Sequence, residues 1–303
     1  MWIYPYLYVE KPKIYIIIIN NEMKMKKYSY ILPLVLACLC IPFLASCGDD
    51  DEENNDGPST ETSIVNPSKV FIAGLPKSVG GNEFTTDEKG RVIKMARENF
   101  VVTFDYSALT RAAKADVVMT IEYDGGKMVC NLTLNDQGYV SFCDENSHDD
   151  LDGDEHQTWK FSYDTKGHLI KMVRSEGGNE TTYITYHNGD ITEVETVSEE
   201  DPDDGSHYTF TYEMYVNGEE EPRLVDNVGG VMFFDQAFGI DMDEMIHAYW
   251  AGMLGQPTKH LPSGCDDVDD QSGVGFSWSW DEEGFPTRFY PDDSDNRYYS
   301  IVW

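Results

Sequence analysis

The part of this sequence most typical of a metal site is DDLDGDE, which begins at Asp149. Asp150, Asp152 and Asp154 alternate as the carboxylates of calcium loops do, and Ca²⁺ prefers hard oxygen ligands. Gly153, however, does not occupy the glycine position of an EF-hand, and no bidentate glutamate follows at the required distance. A solvated acidic loop is the simpler interpretation, because EEDPDDG, CDDVDDQ and PDDSDN are similar stretches. Weak Ca²⁺ binding is the alternative, and the sequence predicts no other cofactor.

Motifs of enzymatic catalysis are absent from the sequence. There is no Gly-x-Ser-x-Gly motif, no phosphate-binding glycine loop and no His-Glu-x-x-His motif. Glycosidases use two carboxylates that meet only in the fold. With 55 Asp and Glu residues in the chain, proximity of some pair is expected and indicates little. The sequence therefore predicts a protein that is not an enzyme, and a glycan hydrolase is the less favoured alternative.

One hairpin pattern recurs along the chain. Its copies are FTTDEKGRVIKM from Phe84, LTLNDQGYVSFC from Leu132, FSYDTKGHLIKM from Phe161 and WSWDEEGFPTRF from Trp278. In each, an alternating strand leads into Asp or Asn, Gly follows three residues later, and a second alternating strand begins. Asp and Asn bond the backbone of a turn, and Gly tolerates a positive φ. The pattern predicts repeated β-hairpins.

The strand register is predicted from the sorting of apolar residues. A four-residue loop places Trp278 opposite Thr287 and Trp280 opposite Phe285, with the apolar residues on one face. The same register places Cys130 directly opposite Cys143.

Directly opposed residues in neighbouring strands bring their Cβ atoms to about 4.5–5.5 Å, which a disulfide can bridge after a small adjustment. Cys130 and Cys143 are therefore a possible disulfide, and two small buried side chains are the alternative. Cys265 lies outside this pairing.

The remaining chain is rich in short alternating segments. Further strands are predicted at 100–106, 117–123, 181–186, 191–197, 207–215 and 298–303. The expected fold is all-β: a large antiparallel meander of roughly fourteen strands, which exceeds the size of most open sheets. Closure into a barrel-like sheet would remove the exposed edges.

A single segment has the periodicity of a helix. DMDEMIHAYWAGMLGQP, from Asp241, carries apolar residues at i, i+3, i+4 and i+7, which predicts an amphipathic helix near 242–254. Asp241 and Glu244 form a plausible capping pair, and Gly255 a stop. We expect this helix to cap or plug one end of the barrel.

The N-terminal region has the features of an export signal. Residues 1–22 are interpreted as an over-extended start. Residues 23–46 form a basic start and an apolar stretch of about 14 residues, which is shorter than the about 20 that a membrane-spanning helix needs. Leu44-Ala45-Ser46-Cys47 resembles the lipobox of bacterial lipoproteins, which implies lipidation of Cys47. Residues 47–66 are predicted to form an acidic, disordered tether, and 67–303 the barrel-like domain.

The charge of the chain restricts its partners. The formal net charge is −33 at pH 7, which argues against binding to nucleic acid or anionic lipid. A hydrophobic content of 41% is sufficient for a folded core. The expected partners are therefore the membrane, through the lipid anchor, and a glycan or protein ligand.

The tether, the acidic leash, the Tyr-Asp-x-x-Gly hairpins and the late single helix together resemble a family of Bacteroidota lipoproteins of unknown function with a porin-like fold. The resemblance covers residues from about 70 to 303 and implies the fold and an outer-membrane, surface-exposed location. It implies no site residues, because the family has no assigned activity.

The resulting prediction is a lipid-anchored cell-envelope protein that acts as a binding or structural module. The alternative is a barrel inserted in the outer membrane. Strands of five to eight residues are shorter than the about 9–11 residues of membrane strands. Conversely, the alternation of Tyr299, Ile301 and Trp303 is typical of the last strand of outer-membrane barrels.

Overall fold

The computed structural model describes residues 64–107, 115–150, 153–175, 179–200, 205–216, 220–232, 240, 242–269, 271–291 and 298–303. All belong to one compact unit, Ser63–Trp303. Within these residues the fold is all-β, as predicted, with 17 strands and one short α-helix. The strands are β1 (Ser78–Val79), β2 (Asn82–Thr86), β3 (Val92–Arg97), β4 (Phe100–Asp105), β5 (Val117–Tyr123), β6 (Gly126–Leu134), β7 (Val140–Asp149), β8 (Gly153–Tyr163), β9 (Leu169–Arg174), β10 (Glu180–His187), β11 (Asp190–Ser198), β12 (Ser206–Thr211), β13 (Gly264–Asp267), β14 (Ser272–Gly275), β15 (Ser277–Trp280), β16 (Pro286–Tyr290) and β17 (Tyr299–Val302).

The strands form an antiparallel meander that closes on itself. Each strand pairs with its neighbours in sequence, and β14 continues into β15 across Phe276. The two-residue strand β1 pairs with β2 on one side and with β17 on the other, which nearly closes the barrel. The predicted count of roughly fourteen strands was too low, because strands of two to four residues, such as β1 and β14, are too short to show alternation.

The four repeated hairpins share one turn structure. At Asp87, Asn135, Asp164 and Asp281 the side-chain Oδ1 accepts bonds of 2.8–3.0 Å from the backbone N–H groups two and four residues later. The glycine three residues later has a φ between +77° and +89° in every copy. Asp-x-x-Gly therefore specifies the turn, as the sequence predicts.

The predicted four-residue loop was wrong. The backbone N–H of the Asp or Asn donates to the carbonyl of the fifth residue, and a β-bulge follows in the second strand. Trp278 therefore lies opposite Phe289, Trp280 opposite Pro286, and Cys130 opposite Glu145. The bulge shifts the register, so Cys143 faces Leu132 instead of Cys130.

The two ends of the barrel differ in character. Because consecutive strands are antiparallel, alternate connections lie at the same end. The four Asp-x-x-Gly turns are all at one end, which we call the turn end. The acidic stretches noted in the sequence follow β7, β11, β13 and β16, so they leave the described strands at the opposite end, which we call the acidic end.

Residues 242–261, which we call the helical segment, lie inside the sheet. A 3₁₀ turn, Asp243–Met245, leads into α1, Ile246–Trp250, which is shorter than the predicted helix near 242–254. It ends because Gly252 adopts a φ of +77° and donates to Tyr249, while Met253 donates to the Ala248 carbonyl. Glu244 does not cap this helix, since no side chain caps it, and Asp241 lies outside the described residues.

Strands on several sides of the barrel contact this segment. Phe84 of β2 packs against Trp250, and Phe100 of β4 packs against His247, with ring centroids 6.3 and 5.4 Å apart. Near the turn end, the Val140 N–H donates to the Met253 carbonyl at 2.8 Å. The segment's apolar side chains are fully or almost fully buried: Met242, Met245, Tyr249, Trp250, Met253, Leu254 and Leu261.

The outward face of the sheet is polar along much of its length. On β6, β7 and β8 the outward side chains include Lys127, Asn131, Asp144, His156 and Lys160, while alternating residues such as Cys130, Glu145 and Trp159 are buried. No helix among the described residues is long and apolar enough to span a membrane.

Candidate functional site

The interior changes from apolar to polar along β7 and β8. Inward positions read Val140, Cys143, Glu145 and Ser147 along β7 toward the acidic end. Beside them, β8 presents Trp159 and then Gln157, whose side chains bind Glu145. This alternation fixes which side chains meet inside the barrel. We define the interior cluster as Cys130, Cys143, Glu145 and Glu244, with Gln157 and Trp159 around it.

Glu145 is the centre of the interior cluster. Only 1% of its surface is exposed. The Gln157 side chain donates to its Oε1 at 2.8 Å, and the Trp159 indole N–H donates to its Oε2 at 3.2 Å. These two donors satisfy its carboxyl oxygens, as the burial of polar atoms requires.

Glu244 brings a second carboxyl group to the same place. The 3₁₀ turn before α1 carries it into the interior, where it is 8% exposed. Burial raises the pKa of Glu244 well above its usual value, and hydrogen bonding with the Glu145 carboxyl raises it further. Its Oε1 meets no hydrogen-bond donor among the described residues. The two carboxyl groups therefore share a site with too few donors.

Two buried thiols complete the cluster. Cys130 and Cys143 are fully buried, and no disulfide joins them in this structure. A hydrogen bond with Cys143, followed by burial, raises the pKa of Cys130 well above its usual value. The ligand atoms of Cys130, Cys143 and Glu145 all lie within 4.8 Å of one another. Among the described residues, this is the group whose spacing suits a metal ion.

Arg174 borders the cluster, and His247 lies in the helical segment that carries Glu244. Arg174 donates to Asp243 at 2.7 Å and to Glu180 at 3.0 Å, and its guanidinium lies 5.5 Å from the Trp159 ring centre. Arg174 thus links the barrel wall to the helical segment. Burial, and then the nearby Arg97, lowers the pKa of His247 to about 4, so this imidazole is neutral at pH 7.

A pocket connects this region to the surface. Its volume is about 280 Å³, and Glu145, Ser147, Glu155, His156 and Gln157 line it. Two carboxylates and an amide, with no apolar side chain in the lining, suit a cationic or strongly hydrogen-bonding group. The pocket also gives an ion a route to Glu145.

The residues predicted for calcium are only partly placed. Asp150 and Asp154 are exposed, and both lie beside His148, with N–O distances of 3.9 and 2.6 Å. Asp152 lies outside the described residues, as does Cys47 with its predicted lipidation. Weak Ca²⁺ binding and lipidation stay predictions.

The Cys130–Cys143 disulfide also stays a prediction. The two side chains are diagonal neighbours across β6 and β7, because Cys130 lies opposite Glu145 and Cys143 lies opposite Leu132. The prediction from sequence missed Glu145 and Glu244. Continuing the alternation past Cys143 would have placed Glu145 inward, and a buried glutamate is an unusual enough event to mark a site.

Residues 84–288 match the model of a protein family described as "Domain of unknown function (DUF4595) with porin-like fold". The chain belongs to this family. The Tyr-Asp-x-x-Gly hairpins and the late single helix are among the features by which the sequence resembled it. Membership establishes the porin-like fold and carries no activity.

Two solved structures are similar to this member of the porin-like family. One is a porin-like protein from Bacteroides uniformis, with 17% identity and a TM-score of 0.49, covering 73% of this chain and 88% of that chain. The other is a porin-like protein from Bacteroides vulgatus, with 17% identity and a TM-score of 0.45, covering 73% and 92%. No curated protein matches the sequence.

Proposed function

We propose that this protein is a water-soluble barrel, held at the outer membrane by a lipid on Cys47, that binds a glycan or protein ligand at its acidic end. The observation that carries the proposal is the filled interior. Because the segment around α1 occupies the space inside the sheet, the barrel offers a binding surface rather than a pore.

The distribution of side chains supports a soluble domain. A barrel inserted in a bilayer carries an outward apolar band about 25 Å tall and a polar lumen. Here the interior contains Trp159, Tyr249 and Phe289, all fully buried, and the outward positions include Lys127 and Lys160. This arrangement is the reverse of a membrane barrel.

The anchor and the ligand follow from separate observations. Cys47 ends a short apolar stretch and precedes an acidic tract, which favours lipidation and a tether. A porin-like barrel is compatible with a cell-envelope location. Glu145 and Glu155 in the pocket favour ligands with a cationic group, such as an amino sugar or a basic peptide.

The test of solubility uses residues 48–303 purified without detergent. We expect one monodisperse species in size-exclusion chromatography with light scattering, and no conductance when the protein is added to a planar bilayer. A protein that needs detergent and forms channels would contradict the proposal.

Lipidation is tested in the full-length chain. We expect Cys47→Ser to move the protein from the membrane fraction to the soluble fraction and to remove the mass of the lipid. Cys265→Ser, a change inside the barrel domain, serves as the matched control and should leave both unchanged. Membrane association that survives Cys47→Ser would refute the anchor.

A glycan hydrolase is a second candidate, because two buried carboxyl groups lie beside a pocket. Glycosidase carboxyl groups are about 5–5.5 Å apart in retaining enzymes and about 6.5–9.5 Å apart in inverting ones. Glu145 and Glu244 instead contact each other within hydrogen-bonding distance, which leaves no space for a sugar between them. This contact favours binding over hydrolysis. Turnover of chitosan or another glycan that is lost in Glu145→Gln would reverse this preference.

A further inference from the structure

We propose that the interior cluster binds one thiophilic divalent metal ion, of which Zn²⁺ is the best fit, through the thiolates of Cys130 and Cys143 and the carboxylate of Glu145, with Glu244 as the fourth ligand. These residues come from β6, β7 and the 3₁₀ turn before α1.

The spacing of the ligand atoms is close to that of a tetrahedral centre. Zn–S bonds of about 2.3 Å place two sulfur ligands about 3.8 Å apart at the tetrahedral angle. The sulfur atoms of Cys130 and Cys143 and an oxygen of Glu145 lie within 4.8 Å of one another. These separations exceed the tetrahedral value by no more than roughly 1 Å, a gap that the three side chains would close on binding the ion.

Glu244 supplies an independent observation that points to a cation. Its side chain is more than nine-tenths buried, and its Oε1 meets no donor among the described residues. Gln157, whose Nε2 holds Glu145, also has an Oε1 without a partner in the described part of the chain. Buried acceptors without donors are costly unless a cation satisfies them.

The surroundings have the features of a supporting layer for a metal ligand. Gln157 and Trp159 orient the Glu145 carboxylate through hydrogen bonds of 2.8 and 3.2 Å. Arg174, which stacks over Trp159, adds a positive charge near a ligand set that is rich in negative charge. The pocket lined by Glu145 provides the path from solvent.

The ligand chemistry selects the metal. Ca²⁺ and Mg²⁺ take oxygen ligands, whereas two thiolates with two carboxylates suit Zn²⁺ and its substitutes Co²⁺ and Cd²⁺. Binding displaces the thiol protons of Cys130 and Cys143 and the carboxyl proton of Glu244, which pass to solvent as the S–H and O–H bonds are replaced by bonds to the metal. A Cys130–Cys143 disulfide would consume both ligands, so metal binding and the disulfide exclude each other.

The test uses residues 48–303, reduced, freed of metal with a chelator, and titrated with Zn²⁺ against a chromophoric competitor. We expect one tight equivalent per chain and a sulfur-to-metal charge-transfer band with Co²⁺. Cys143→Ser should abolish the band and weaken binding at least 100-fold. Glu244→Gln should weaken binding about 10-fold, while Cys265→Ser, which removes a buried cysteine of β13, should change nothing.

Alkylation of the wild-type protein tests the metal site without any substitution, so the result does not depend on the folding of a variant. We expect bound Zn²⁺ to slow the modification of Cys130 and Cys143 in partly unfolding urea more than that of Cys265, which is protected only by the stabilisation of the whole domain. Weak binding that persists in Cys143→Ser would assign the metal to the acidic loops and overturn the proposal. A reduced protein that binds no Zn²⁺, or whose Cys130 and Cys143 are alkylated equally fast with and without it, would overturn it too.

Discussion

The repeated turn allows one substitution to be compared in several surroundings. Gly90 and Gly138 have the same backbone conformation, with φ of +77° and +84°. A Cβ added at Gly90 would meet nothing within 4 Å, whereas one at Gly138 would lie 2.2 Å from the backbone oxygen of Ile64. Gly90→Ala therefore tests the backbone strain alone, and Gly138→Ala adds a collision with main chain.

The expected magnitudes follow from these surroundings. A left-handed conformation costs a non-glycine residue about 1–2 kcal/mol, so Gly90→Ala should lower the free energy of unfolding by that amount. At Gly138 the Ile64 carbonyl must move by nearly 1 Å, which disturbs Val65, Pro67 and the other buried residues that follow it. Overpacking costs about 1–3 kcal/mol, so together with the backbone strain we expect a total loss of about 3–4 kcal/mol for Gly138→Ala.

Thermal and urea unfolding of residues 48–303 measures the difference. In a domain of this size about 1 kcal/mol corresponds to about 2–4 °C in Tm. Gly138→Ala should therefore melt several degrees below Gly90→Ala and expose the chain near Ile64 to proteases. Gly284→Ala, whose added Cβ also meets nothing within 4 Å, should match Gly90→Ala. Equal losses at all three positions would refute the steric reasoning.

Two further predictions concern the interior. The pKa of His247 falls to about 4 in the folded protein, so the unfolded chain binds more protons below pH 6.5, and stability decreases as the pH falls toward 4. His247→Phe should remove about 2 kcal/mol of this loss. The measurement compares the free energies of urea unfolding of the two proteins as a function of pH. Arg174→Met should cost about 3 kcal/mol, because it leaves the carboxylates of Asp243 and Glu180 without their shared cation. Lys160→Met, at an outward position of β8, should have a much smaller effect on the same urea midpoint.

Each has an outcome that would contradict it. If the free energy of unfolding falls equally in the wild type and in His247→Phe as the pH drops toward 4, another group controls the pH dependence. If Arg174→Met lowers the free energy of unfolding no more than Lys160→Met does, the ion pairs of Arg174 do not stabilise the packing of the helical segment against the barrel.

The turns and strands were predictable because their signals are local. Asp164 and Gly167 specify their turn by bonds within five residues, and Val117–Tyr123 alternates over its whole length. The β-bulge after each turn was not predictable from alternation, since one extra residue changes the register without changing the composition. The error at Cys130 and Cys143 came from this single residue.

The site depends on contacts distant in sequence, and for that reason the sequence revealed only part of it. Glu145 and Glu244 are about a hundred residues apart and meet only because the chain after β12 enters the barrel. Glu244 was interpreted as a helix cap, the usual role of a glutamate in a first helical turn. Its burial opposite Glu145 is a tertiary effect that overrides that local preference.

The pairing of β1 (Ser78–Val79) with β17, which we call the seam, affects how the protein folds. Nearly all the sheet pairings are between strands adjacent in sequence, so most of the meander can assemble from local contacts of low contact order. Among the described strands, only the seam joins partners more than 200 residues apart, and the Lys77 N–H donates to the Val302 carbonyl beside it. A chain emerging N-terminus first cannot close the ring until β17 has arrived. Until then it is an open ribbon with two bare edges, so closure is the step at which this fold competes with aggregation.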